Sequence, residues 1–300
     1  MANFIVTSLP AYVQENQDML LKNFALVGST RKRISIQTGV KGSAHINFME
    51  VDPTFQDGAN CGFNSLGNVT LTQRTIETAA IKVNLDICPK TLRGKYAEYL
   101  ISMSATEDQL PFEQYIMEGV TNSLSKNIEI LMWQGDKSAT GDNVKKWANG
   151  FLKIAETESD VIDVTLGEDV FENIKSVYLA LPEEVIVRGA EIYVSPATYR
   201  KFLAALVEKN YYHYASAVEA APEEFYFPGT NAKVVMTPGL VGVDTILGTF
   251  AKNLFYGCDM EGDEELIKVW FSDDADLFRL KAEWNSGMQI AFPNMVVLGK

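Results

Sequence analysis

The sequence predicts an α+β fold, on three observations. Ile81-Lys82-Val83-Asn84-Leu85-Asp86-Ile87 alternates apolar and polar residues without a fault, the period of a strand with one wet face. Phe112, Ile116, Val120, Leu124, Ile128 and Leu131 recur every three or four residues, which is one apolar stripe on a helix of about six turns. Residues 156–252 then alternate helix and strand before the chain returns to strands. The 300 residues are 47% hydrophobic and 22% charged, so a core can form without disulfides or metal, and disorder or low complexity is excluded.

Taken in order, residues 11–27 read as a helix carrying Leu20, Leu21, Phe24 and Leu26, stopped at Gly28 and followed by the polar break Ser29 to Arg33. From 34 to 84 short alternating runs (Ile34, Ile36, Ile46, Phe48, Val51) flank a middle punctuated by Gly58, Gly62 and Gly67. That stretch has too few bulky apolar residues to fold alone and reads as a long two-stranded arm. Asp108 to Pro111 supplies a helix start, and the stripe that follows ends at Gly135-Asp136. Glu113, Glu118, Lys126 and Glu129 lie off the stripe. Residues 136–155 read as linker.

Asp169 to Leu181 is an amphipathic helix stopped by Pro182, and Ala190 to Val194 is a buried strand. Ser195-Pro196 opens the next helix, with serine as cap and proline at the first position. Further strands are expected at 233–236, 245–247, 254–256, 267–271, 277–284 and 289–297, with Trp284-Asn285-Ser286-Gly287 as a turn between the last two. Glu183-Glu184, Glu223-Glu224, Asp259 to Glu265 and Asp273 to Asp276 read as exposed acidic turns.

Catalytic chemistry finds little support. Of the two histidines, His45 lies in the arm and His213 inside Tyr211-Tyr212-His213-Tyr214, neither beside a nucleophile. Cys61, Cys88 and Cys258 form no paired spacing, so neither a zinc site nor a disulfide framework is expected. GxSxG, HExxH and GxxxxGK[ST] are absent, and the acidic run at 259–265 lacks the ligand spacing of a calcium loop. Asn68-Val69-Thr70 reads as a chance sequon, and no run of about 18 apolar residues spans a bilayer. No cofactor is called for.

The net charge is −13, unevenly placed. Residues 1–150 carry 14 Lys+Arg against 15 Asp+Glu, residues 151–300 carry 12 against 24. So acidic a chain is no dedicated nucleic-acid reader. Between Asp18 and Glu50, however, Lys22, Arg31, Lys32, Arg33 and Lys41 stand without an acidic residue. They can touch phosphates without sequence preference, or they are a solvated basic loop. The tyrosines 211, 212 and 214 belong either to their own core or to a contact with another subunit.

This order of elements, with Val194-Ser195-Pro196-Ala197-Thr198-Tyr199 as a strand-to-helix entry and the closing stretches Asn253 to Cys258, Phe278 to Trp284 and Gly287 to Pro293, resembles the major capsid protein of tailed double-stranded DNA bacteriophages, the Hong Kong 97 fold. The resemblance covers nearly the whole chain and rests on architecture. It implies an N-arm at 1–33, an E-loop at 34–84 and a peripheral domain at 85–155 and 253–300 with a spine helix at 111–133. The axial domain would be 156–252. It implies self-assembly as pentamers and hexamers into an icosahedral shell around double-stranded DNA, in a virion made in the host cytoplasm. Lys22, Arg31, Lys32, Arg33 and Lys41 would face the interior, and Tyr211, Tyr212 and Tyr214 would meet other subunits. Scaffolding, portal and decoration proteins would be separate partners; no enzymatic activity or membrane is implied. The lysine–asparagine cross-link of some members finds no recognisable partners here. Two alternatives stay open: an encapsulin-type shell holding protein cargo, and a soluble α+β enzyme working through carboxylates.

Overall fold

The structure, a computed structural model, describes residues 30–55, 66–88, 112–141, 144–211, 224–259, 267–275 and 277–300. The strands are β1 Ser35–Gln37, β2 Ser43–Pro53, β3 Gly67–Glu77, β4 Ala79–Ile87, β5 Ile162–Val164, β6 Ala190–Val194, β7 Glu224–Tyr226, β8 Lys233–Met236, β9 Ile246–Phe250, β10 Leu254–Cys258, β11 Ile267–Ser272, β12 Leu277–Ile290 and β13 Val297–Gly299. The helices are α1 Phe112–Gln134, α2 Phe151–Thr157, α3 Val170–Ala180, α4 Glu183–Arg188 and α5 Pro196–Glu208.

Helix α1 forms where the stripe predicts it. Ile116, Leu124, Ile128 and Leu131 are buried, joined by Met117, Met132 and Trp133. Its 23 residues give a length of about 34 Å. It packs in one core with a five-stranded sheet, in which β12 pairs with β4, β10 and β11 and β1 lies parallel to β10. The six-stranded sheet, β5-β13-β9-β6-β8-β7, turns one face to that core through Tyr193, Val235, Leu247 and Leu298. Its other face, with Ile192, Val194, Val234, Ile246 and Val297, meets α3, α4 and α5 in a second core. Burial on both faces is why β9 has no exposed residue, its one polar side chain, Thr249, donating to the Met295 carbonyl.

Local chemistry sets several ends. Asp169 accepts from the Phe171 N–H to cap α3, and Ser195 accepts from the Thr198 N–H to cap α5, with Pro196 at its first position. Helix α5 closes with Asn210 at φ 59° and the Tyr211 N–H on the Leu206 carbonyl, the left-handed stop that asparagine tolerates.

Four expectations are corrected. The stretch 284–287 is no turn: β12 runs through it, Asn285 and Ser286 pairing with Ala80 and Ala79 and Gly287 with Gly257. A Cβ on Gly287 would come within 2.3 Å of the Glu77 carbonyl oxygen, so this residue is glycine for closeness of strands, not for a bend. Residues 289–297 are not one strand, because Pro293–Met295 is a single 3-10 turn that separates β12 from β13. That last strand, β13, sits between β5 and β9 in the six-stranded sheet. The 136–155 linker contains α2, whose Phe151, Leu152 and Ala155 are buried. Glu183-Glu184 opens α4, where carboxylates favour the positive helix end. The expected helix at 11–27 and the glycines at 58 and 62 lie outside the described residues.

Candidate functional site

Strands β2 and β3 form a two-stranded sheet of their own, eleven residues a side, in register from Ser43↔Glu77 to Pro53↔Gly67. Of the arm expected at 34–84, β1 and β4 belong to the five-stranded sheet, and β2 and β3 pair only with each other. Near the base, the face carrying Ile46, Phe48 and Ile76 turns towards the body. Ile46 and Ile76 are buried, and the Phe48 ring lies 4.7 Å from that of Phe292 and 6.1 Å from that of Phe255. Gln289 donates to the Thr75 carbonyl at 2.8 Å, and Arg74 pairs with Glu158.

Towards the tip the apolar residues change face. Met49 pairs with Leu71 and Val51 with Val69, so these four side chains share the face opposite Ile46 and Phe48. They are exposed, Met49 at 67% and Leu71 at 75%, and Phe55 beyond them is 98% exposed. A polar hairpin would need no explanation, but this one offers a contiguous apolar row that no other described residue covers. Each large apolar side chain contributes roughly 1.5–3 kcal/mol when fully covered, and a lone two-stranded ribbon is marginal in water. His45 lies lower on the same ribbon, exposed, with Nδ1 3.1 Å from the Thr75 hydroxyl.

The second functional region is the segment from Thr30 to Gln37. The Thr30 N–H donates to the Glu129 carboxylate at 3.3 Å, and the Trp133 indole N–H donates to the Thr30 hydroxyl at 3.0 Å. Arg31 is 1% exposed and donates to Ser125 Oγ at 2.8 Å. Glu129, read from sequence as lying off the buried stripe, is 4% exposed. Burial pushes the nearby Tyr256 hydroxyl up to about 12 and the Cys258 thiol up to about 11, against the opposing pull of Arg31. Arg33 reaches the other way, to Glu224 at 2.7 Å and Glu191 at 3.4 Å. Burial alone would raise Glu224, yet the hydrogen bond and charge of Arg33 leave it below its ordinary value. The buried Tyr193 hydroxyl, pushed well above its usual range by burial and by Glu191, donates to Glu191 at 2.7 Å.

Of the residues expected to face an interior, Arg31 is therefore corrected: it is a buried core cation on α1. Arg33 is a part-buried clasp on the six-stranded sheet. Lys32 and Lys41 are exposed, and Lys22 lies outside the described residues. Tyr211 stacks on Phe171 at 5.7 Å and remains 40% exposed, so it serves its own core and still presents an edge. Tyr212, His213 and Tyr214 lie outside the described residues. Among the described residues no group of three metal-ligating side chains gathers, and no helix is long and apolar enough to cross a membrane.

No protein-family model matches the chain, and no curated protein matches it in sequence. Solved structures do. A chain of the satellite phage P4 procapsid with its size determination (Sid) protein superimposes with a TM-score of 0.62 at 14% identity, over 100% of this chain and 98% of that one. The fold is that of a Hong Kong 97-type capsid protein. The capsid of an empty GTA particle matches with a TM-score of 0.57 at 12% identity, over 91% and 89% of the two chains. A virus-like particle from Pyrococcus furiosus matches at 0.53 and 12%, over 94% and 96%. Each of the three matches thus covers 91–100% of this chain.

Proposed function

We propose that the protein is the structural subunit of a bacteriophage capsid, closing through pentamers and hexamers into an icosahedral shell. The observation that carries this is the change of face along β2 and β3: the base of the ribbon is seated on its own body, and the apolar row at the tip points away from it. A surface of that kind is completed by a neighbour. The likeness to capsid chains over 91–100% of the chain supports the same reading.

In this reading the ribbon 43–77 is the E-loop, α1 the spine helix, and the five-stranded sheet the frame of the peripheral domain. The six-stranded sheet with α3, α4 and α5 is the axial domain, and the segment ending near Arg33 is the base of the N-arm. The packaged partner is double-stranded DNA held without sequence preference, touched by Lys22, Lys32 and Lys41 and not by the two arginines engaged within the chain. Tyr211, Tyr212 and Tyr214 lie at contacts between subunits, and the assembled protein resides in the virion.

Size-exclusion chromatography with negative-stain imaging of the purified chain tests the proposal. Closed particles of megadalton mass are expected, and a stable monomer or small oligomer would overturn it. Nuclease-resistant double-stranded DNA inside particles from infected cells distinguishes a genome shell from one that holds protein cargo.

A further inference from the structure

A cleft of about 560 Å³ opens where the Arg33 turn meets the rim of the six-stranded sheet, and its charge opposes that of the molecule. Arg33, Arg188, Lys233 and Lys252 line it, with Glu191 beside them and Phe250 in the wall. Its inner cations are satisfied within the chain: Arg33 by Glu191 and Glu224, and Lys233 by Glu224 at 3.6 Å. Its mouth is not. Arg188 is half-exposed and reaches Glu184 only at 3.9 Å, and Lys252 is exposed with no ion pair among the described residues.

The chemistry of the mouth narrows what it can hold. The Arg188 guanidinium lies over the Phe250 ring, 5.1 Å from its centre, and Phe250 is otherwise buried in the second core, so the ring offers no free face for a base to stack on. Asn231 already donates to the Ile186 carbonyl. What remains is a pair of cationic donors, suited to carboxylate or phosphate oxygens. A duplex backbone is broad and would touch only the rim of a recess this small, whereas a protruding protein turn can enter it. The chain also carries −13 overall. Identical copies of so acidic a surface repel on contact unless carboxylates of one meet cations of the other. In the turn between β11 and β12, Asp273 and Asp274 are adjacent, exposed and without an ion pair among the described residues.

We propose that this cleft receives an acidic turn of a second copy of the chain, with Asp273-Asp274 as its occupant. The inference rests on the shell reading above and names one contact within it. The double variant Arg188→Glu with Lys252→Glu, and separately Asp273→Lys with Asp274→Lys, should each lower particle yield about tenfold or more, since like charges then face each other. All four changes in one chain should restore it. Circular dichroism checks that these exposed substitutions leave the fold intact. In wild-type particles assembled from mixed ¹⁴N and ¹⁵N chains, a zero-length carbodiimide should join Lys252 to a carboxylate of the other isotope. Normal assembly of the Arg188/Lys252 variant overturns the proposal, as do cross-links from Lys252 confined to its own copy. Normal particles that have lost nucleic acid would assign the cleft to phosphate instead, and equally overturn it. Absence of particles from the wild-type chain sinks the shell reading and this one together, whereas wild-type particles beside an unaffected variant sink this one alone.

Discussion

Arg31 and Arg33 stand two positions apart and do different work. Arg31 places a guanidinium in the core against Ser125, beside the buried Glu129, while Arg33 bridges to Glu191 and Glu224. Truncating Arg31 to Ala leaves a buried carboxylate with less compensation and a cavity, and should cost roughly 3–5 kcal/mol. The urea midpoint of unfolding checks this; a change within the scatter of surface variants would place Arg31 outside the core. Glu224 sets a pH dependence. Its folded value is depressed below the ordinary 4.5, so the clasp on Arg33 is fully present above that value and is lost as pH falls through the lowered one. Protection of the Ser35–Gln37 amides, measured as exchange relative to the unfolded-chain rate at each pH, should therefore fall below pH 4.5, and Glu224→Gln should flatten that response. Neither role was legible in the sequence. A basic run between Asp18 and Glu50 reads as a phosphate contact or a solvated loop until tertiary structure supplies Glu129, Glu191 and Glu224 from far along the chain, Glu129 lying 99 residues from Thr30.

At the scale of elements, what the sequence shows is what period and caps dictate. The α1 stripe, the alternation of β4 and the Ser195-Pro196 start all form as read, because each is a local signal that packing reinforces. The strand expected at 277–284 forms, but its run on through 285–287 is not legible, because Asn285-Ser286-Gly287 has the composition of a turn and pairing with β4 and β10 overrides that preference. The face change in the ribbon is written in the sequence as a shift of phase, Ile46 and Phe48 followed by Met49 and Val51, and a reading by alternation alone passes over it. Two variants separate the faces of this argument. Leu124→Asp puts an unpaired charge under α1 and should abolish soluble, folded subunits, as read by expression and circular dichroism. Leu71→Asp falls on an exposed position and should leave the subunit folded while preventing closed particles in negative stain. Normal particles from Leu71→Asp would mean the tip row is not a contact.

For the whole molecule, three sheets share one chain without being separable. The projecting ribbon is tied through Arg74 and Gln289, the five-stranded sheet lies under α1, and the six-stranded sheet is filled from both sides. No lysine–asparagine pair beside a glutamate is recognisable for covalent closure, so assembled particles boiled in denaturant should run as monomer; a ladder of multiples on the gel would refute this. A shell without such bonds depends on the area each subunit covers on its neighbours, and assembly should then weaken gradually as apolar tip residues are removed one at a time.

The eight residues from Thr30 to Gln37 touch α1 through Thr30 and Arg31, the six-stranded sheet through Arg33, and the five-stranded sheet through β1. A tug on this short strap is shared at once among all three bodies instead of peeling one from the others. In the shell proposed above it would work as a keystone, a load on the strap being met by the stiffness of α1 and both larger sheets together.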